Sequence, residues 1–135
     1  MKKKLTLRGY ISSREALGKF YPQKIQNLII REFCKIKNFS YMLSAAEYKM
    51  KNSFLVLNEI IKDLNNVDGI VAFSLYQFPE NKKNRNNYLK KILNKKKIMS
   101  FALEEIIIRK KSDIDLVDDL WGVKKTILNK KKPWK

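Results

Sequence analysis

The run Gly69-Ile70-Val71-Ala72-Phe73-Ser74-Leu75 is almost wholly apolar. A parallel strand covered on both faces has this composition, because it has no solvent side on which polar residues would alternate. It is the central strand of whatever this chain builds, and the flanking segments supply the layers. Leu5, Leu7, Gly9 and Ile11 alternate with more polar neighbours, the period of a first strand. After Gly18 and Pro22, residues Ile25, Leu28, Ile29, Phe33 and Ile36 recur at helical spacing and predict a helix over Gln23 to Lys37. Asn38 stops it, Ser40 to Leu43 reads as a short second strand, and Ala45 to Met50 as a loop.

Ser53 stands at the cap position before Phe54, Leu57, Ile60, Ile61 and Leu64, which give a second helix one apolar face. Pro79 stops the extended segment after the central strand. Asn84 to Asn94 gives a third helix through Tyr88, Leu89, Ile92 and Leu93, and Lys97 to Leu103 returns to a strand. Glu105 to Arg109 can form a short fifth strand at an edge. Ser112 with Asp115 marks a helix start, and Ile114, Val117, Leu120, Trp121, Lys124 and Leu128 outline a final helix. Strands alternating with helices predict an α/β domain of three layers, with a parallel sheet of order 2-1-3-4, right-handed crossovers and a C-terminal helix. The domain is expected over residues 1–129, with a basic flexible tail over 130–135.

A chain of 135 residues fits one domain. No apolar run reaches the roughly 18 residues of a spanning helix, and Met1-Lys2-Lys3-Lys4 leads into an alternating strand, so a soluble cytoplasmic protein is expected. The chain has no histidine, which removes Ser-His-Asp and Cys-His catalysis and every zinc site that needs imidazole. Cys34 has no second cysteine to pair with and is expected to be buried and inert.

The net charge of +17 suggests phosphate neutralisation. The kind of base argues against it. Lysine greatly outnumbers arginine, present only as Arg8, Arg14, Arg31, Arg85 and Arg109, and lysine, asparagine and isoleucine share A/T-rich codons. A solvated surface is therefore preferred to specific nucleic-acid contact, with Lys95-Lys96-Lys97 as a helix-end turn. Gly18 is solitary, so no glycine-rich phosphate loop is present, and no metal or redox cofactor is expected.

In a doubly wound sheet of this order the ligand crevice lies between the carboxyl ends of strands one and three. Ser12, Ser13 and Arg14 come from the first, and Ser74, Tyr76 and Gln77 from the second. Glu47 and Tyr48 follow strand two, and Glu104 follows strand four, on the same edge. Hydroxyls, a fork-shaped cation, carboxylates and an amide suit a sugar phosphate or nucleotide sugar. Arg14 would clamp the anion bidentately, and Glu47 or Glu104 would act as acid or base. Structural readings stand beside these. Ser12 and Ser13 can cap the turn, and Arg14 can pair with Glu47 or Glu104. Gln26, Asn27 and Arg31 share the first helix as ligand contacts, Arg31 equally suiting a helix or subunit contact. Tyr10, Tyr48 and Tyr76 suit half-buried packing, and Trp121 suits the core or a dimer interface better than a stacking platform.

The order of Gly9-Tyr10, a helix with Gln26 and Cys34, a Glu47 loop, Gly69 to Phe78 and Phe101-Ala102-Leu103-Glu104 resembles the catalytic domain of serine recombinases over roughly residues 6 to 108. The resemblance implies a resolvase-like, flavodoxin-like fold and, by analogy, a homodimer. The recombinase chemistry does not carry over: the positions matching that family's phosphate-cradling arginines after its central strand read Gln77 and Glu80. A glutamate facing a phosphodiester has the wrong sign. Nor does a helix-turn-helix pattern follow the sheet domain.

A second resemblance spans almost the whole chain. Arg8-Gly9-Tyr10-Ile11 with Ser13-Arg14, Gln26 to Arg31, Leu43 to Tyr48, Gly69-Ile70-Val71 with Ser74 to Glu80, Phe101 to Glu104, and Asp118 through Trp121 are similar to the sporadic carbohydrate cluster proteins. That family is found among genes for surface polysaccharide and lipopolysaccharide assembly. The similarity implies a carbohydrate-pathway context and leaves the reaction open. Two other functions remain in play: an accessory module that binds a pathway protein through an apolar patch around Trp121 and Phe78, and a recombinase-derived nucleic-acid binder.

Overall fold

A computed structural model describes residues 4–16, 18–50 and 53–130, the last six of these in backbone only. The element order is β1 (Thr6–Ile11), α1 (Gln23–Lys37), β2 (Ser40–Ala46), α2 (Leu55–Lys62), β3 (Gly69–Ala72), α3 (Lys82–Asn94), β4 (Ile98–Phe101), β5 (Ile106–Ile108) and α4 (Ile114–Lys130). Short 3₁₀ turns lie at Leu64–Asn66, Leu75–Gln77 and Lys111–Asp113. The five strands lie in the order β2-β1-β3-β4-β5. The first four run parallel, whereas β5 turns back antiparallel against β4, Met99 facing Ile108. The sheet is thus mixed, and the wholly parallel expectation fails at this edge. Only four residues, Ala102 to Glu105, separate the two strands, too few for the crossover a parallel partner needs.

The central run alternates between two cores. Ile70 and Ala72 join Tyr10, Met99 and Phe101 against α2, α3 and α4. Val71 and Phe73 join Leu7 and Ile11 against Ile30, Phe33 and Cys34 of α1. Strand order reverses at β1, so crossovers of one hand must put α1 on one face and α2 and α3 on the other. Cys34 is buried, and burial pushes its thiol up to about 11.

Several boundaries differ from the sequence reading. β2 continues through Ala46, into the segment expected as a loop, with an irregular register opposite Arg8 and Tyr10. β3 ends at Ala72, and the chain turns through Ser74, whose Oγ accepts from Tyr76 N–H. Ser53 does not cap α2. Glu47, far earlier in the chain, accepts from Val56 N–H at 2.9 Å and Leu57 N–H at 3.2 Å. Asp113, rather than Ser112 with Asp115, organises the approach to α4 by accepting from Arg109 and Lys110 N–H. α4 extends to Lys130, and the expected tail beyond it lies outside the described residues. In the Lys95 to Lys97 turn, Lys95 and Lys97 donate through Nζ to the carbonyls of Ile61 and Val67, both at 2.7 Å.

Candidate anion-binding cleft

The loop after β1 is held by buried amides from both sides. Gln26, turned inward from α1, donates to the Ser12 carbonyl at 2.7 Å and the Tyr21 carbonyl at 2.9 Å, and accepts from Ser12 N–H. Gln77, from the turn after β3, donates to the carbonyls of Ser12 at 3.2 Å and Arg14 at 3.1 Å. Ser12 Oγ accepts from Arg14 N–H and Arg14 Nη1, both at 3.0 Å, which folds the side chain back over its own turn. These contacts fix where Arg14 points.

The Arg14 guanidinium meets only neutral groups. Nη1 donates to Ser12 Oγ and, at 3.3 Å, to Tyr10 Oη and the Gln77 carbonyl. The Phe54 ring lies 3.9 Å from the guanidinium carbon. Nε and Nη2 are buried without a hydrogen-bond partner, and among the described residues no carboxylate forms an ion pair with Arg14. The alternative of a direct pair with Glu47 or Glu104 gives way to a relay toward Glu47: Tyr10 Oη accepts from Arg14 and donates to Glu47 Oε1 at 2.8 Å. Burial pushes the Tyr10 phenol far up. Arg14 opposes the shift and Glu47 adds to it, so Tyr10 stays a neutral bridge.

Glu47 is buried, and besides Tyr10 it accepts from Val56, Leu57 and Ser53, its negative charge sitting where the N-terminus of α2 is positive. Glu104 accepts from Ser74 Oγ at 2.6 Å and Leu75 N–H at 2.9 Å. Burial raises its pKa, opposed by those hydrogen bonds. Neither carboxylate lines the cleft. Ser74 is committed to Glu104 and to Tyr76 N–H.

An open cleft of about 890 Å³ lies over this edge of the sheet. Ser12, Ser13, Arg14 and Tyr48 line it, as does half-buried Tyr76. Tyr10 is completely buried, whereas Tyr48 is 58% exposed. Asn27 accepts from Tyr41 Oη, Arg31 is exposed on α1, and neither reaches the cleft. The opposite wall was not read from the sequence. Asn84, Asn87, Tyr88 and Lys91 of α3 line it, as do Trp121 and Lys124 of α4. Their spacing of three, one and three residues places one polar stripe on the side of α3 away from buried Leu89 and Ile92, a signal available to a helical-wheel reading.

A contiguous cleft of about 590 Å³ shares Glu80, Asn81 and Trp121 and is bordered by Arg85 and Asp118. Their ion pair is 2.8 Å long, with Arg85 2% exposed. Trp121 is 4% exposed, its ring packed on Tyr76, as the core reading expects. Among the described residues no group of three His, Cys, Asp or Glu side chains is placed to hold a metal ion, and no helix is long and apolar enough to cross a membrane.

Comparison with solved structures finds a resolvase family site-specific recombinase from Streptococcus pneumoniae, at TM-score 0.61 and 14% identity over 93% of this chain and 92% of that one. The likeness establishes a resolvase-like fold. No family model matches the chain, and no curated protein does.

Proposed function

We propose that this chain binds an anionic sugar derivative, a sugar phosphate or nucleotide sugar, in the cytoplasmic assembly of a surface polysaccharide or lipopolysaccharide. The observation that carries the reading is Arg14, a cation that borders the cleft with two buried nitrogens unpartnered and, among the described residues, no carboxylate in ion-pair contact, although Glu15 and Glu80 line the same cleft. Leaving charged N–H groups unpaired costs more than leaving neutral ones, and a phosphate matches a guanidinium fork in shape and charge. Because Nε and Nη2 are buried, the surrounding side chains must part slightly to admit the ligand. Pairing the fork offsets that opening. The motif similarity to the carbohydrate cluster proteins supports the pathway context.

The geometry supports binding more than catalysis. Ser13 borders the cleft, but Glu47 and Glu104 are both occupied with backbone N–H groups away from it. A nucleic-acid role is the second reading, favoured by the charge of +17 and by Lys49, Lys91 and Lys124 along the cleft. A thermal-shift series with sugar phosphates, nucleotide sugars and short duplex DNA separates the two, since a ligand of the native state raises the midpoint. The proposal expects a rise with a sugar derivative that Arg14→Ala abolishes, measured against that variant's own midpoint. A salt-sensitive rise with DNA alone, indifferent to Arg14→Ala, would replace it with the second reading.

A further inference from the structure

We infer that the ligand is a nucleoside-diphosphate sugar and not a bare sugar phosphate; this rests on the reading above and sharpens it. The cleft carries positive charge at separate places joined by aromatic surface, with the carboxylates of Glu15 and Glu80 also on its lining. One row runs from Arg14 across Phe54 at 3.9 Å, from Phe54 to Tyr88 at 5.8 Å between ring centres, and from Tyr88 to the Lys91 ammonium at 5.7 Å. All four residues line the same cleft. In the same cleft, Lys124 Nζ lies 5.3 Å from the Tyr76 ring and 4.5 Å from that of Trp121.

A hexose phosphate has one anionic group and no planar π-face. Seated on Arg14, it leaves the Tyr88 and Lys91 end of the row unused, in a cleft whose volume of about 890 Å³ lies near the top of the usual range for small-molecule sites. A nucleoside diphosphate engages the whole row. Its phosphates take the Arg14 fork, and its base stacks on the half-buried ring of Tyr88. The amides of Asn84 and Asn87, on the same stripe of α3, and the Lys91 ammonium then meet the polar edge of the base. Stacking on a protein aromatic is tolerant of base identity, whereas amides that donate and accept can select among bases.

Isothermal titration tests this with a nucleoside-diphosphate hexose, the matching nucleoside diphosphate, the hexose 1-phosphate and a single-stranded oligonucleotide. The nucleotide hexose is expected to bind at least tenfold more tightly than the hexose 1-phosphate. Tyr88→Leu is expected to weaken the nucleotide ligands about tenfold while leaving the hexose 1-phosphate unchanged. Lys91→Ala, at an exposed position, provides a second variant should Tyr88→Leu fold poorly. Equal affinity for the nucleotide hexose and the hexose 1-phosphate, or equal losses for both in the variants, overturns the inference. In that case hexose 1-phosphate binding that Arg14→Ala removes still upholds the underlying reading. Tighter binding of the oligonucleotide overturns the inference in favour of a polymer ligand. Failure of every sugar ligand overturns both.

Discussion

Replacing Glu47 by alanine should destabilise the chain by about 4 kcal/mol, because this carboxylate is an internal cap as well as a charge. It accepts from Tyr10 Oη at 2.8 Å, Val56 N–H at 2.9 Å and Leu57 N–H at 3.2 Å. Hydrogen bonds to a charged group contribute about 1.5–3 kcal/mol each, and unpaired buried donors cost about 1–3 kcal/mol. Tyr10 and Leu57 are completely buried, so water replaces the lost acceptor poorly. The lower end of the range applies, since such contributions are not additive and the first turn of α2 can relax. With an unfolding entropy near 2.1 cal/mol/K per residue over 135 residues, about 4 kcal/mol corresponds to a Tm lower by about 14 °C. Glu47→Gln keeps one acceptor oxygen but turns an NH2 group toward backbone N–H donors, and should cost about half as much. Urea unfolding followed by circular dichroism measures both, and an unchanged m-value shows that stability alone has moved. A loss below about 1 kcal/mol in Glu47→Ala would refute the view that Glu47 fastens β1 to α2.

Glu104 gives a pH signature. Burial raises its folded pKa above the usual 4.5, so between that value and its raised one the folded chain keeps a proton that the unfolded chain has lost. Stability from this group is present below 4.5 and falls as pH rises through the raised value; Glu104→Gln should flatten that fall in a series of denaturant titrations. Asp118→Ala should cost about 3–5 kcal/mol by leaving the Arg85 guanidinium buried without its partner, and the double variant Arg85→Met with Asp118→Leu should recover most of it in urea unfolding. Gly9→Ala should cost about 2 kcal/mol or more, read from the same assay, because its added Cβ would meet the Tyr41 ring at 2.7 Å and the Ser44 Cα at 2.9 Å.

What the sequence made legible was local. The apolar run of β3 placed the sheet centre, and the spacing of α1 gave its bounds, Gln23 to Lys37, because both signals lie within one element. Of the residues read as a candidate site, Ser12, Ser13 and Arg14 after β1 and Tyr48 after β2 border the open cleft. What escaped was set by distant partners. The cap of α2 comes from Glu47 at the end of β2, so a local search settles on Ser53 instead. Gln26 and Gln77 read as ligand groups because their types suit ligands, yet their NH2 groups are spent on carbonyls of the Arg14 loop, a use that only the tertiary fold defines. The antiparallel return of β5 was implicit in the short gap between the strands read at Lys97 to Leu103 and Glu105 to Arg109, which leaves no room for a crossover, whereas the Arg85–Asp118 pair joins residues 33 apart on two helices, beyond any local pattern.

Whether Arg14 takes the phosphate is read from its side-chain Nε–H resonance in protein labelled with ¹⁵N-arginine, assigned by comparison with Arg14→Lys and followed during titration with a nucleoside-diphosphate hexose. This resonance is expected to shift with saturation, because a group now unpartnered gains a phosphate acceptor. An Arg14 resonance that stays in place while ligand binds, or while signals of the exposed Arg31 or Arg109 move instead, would contradict it.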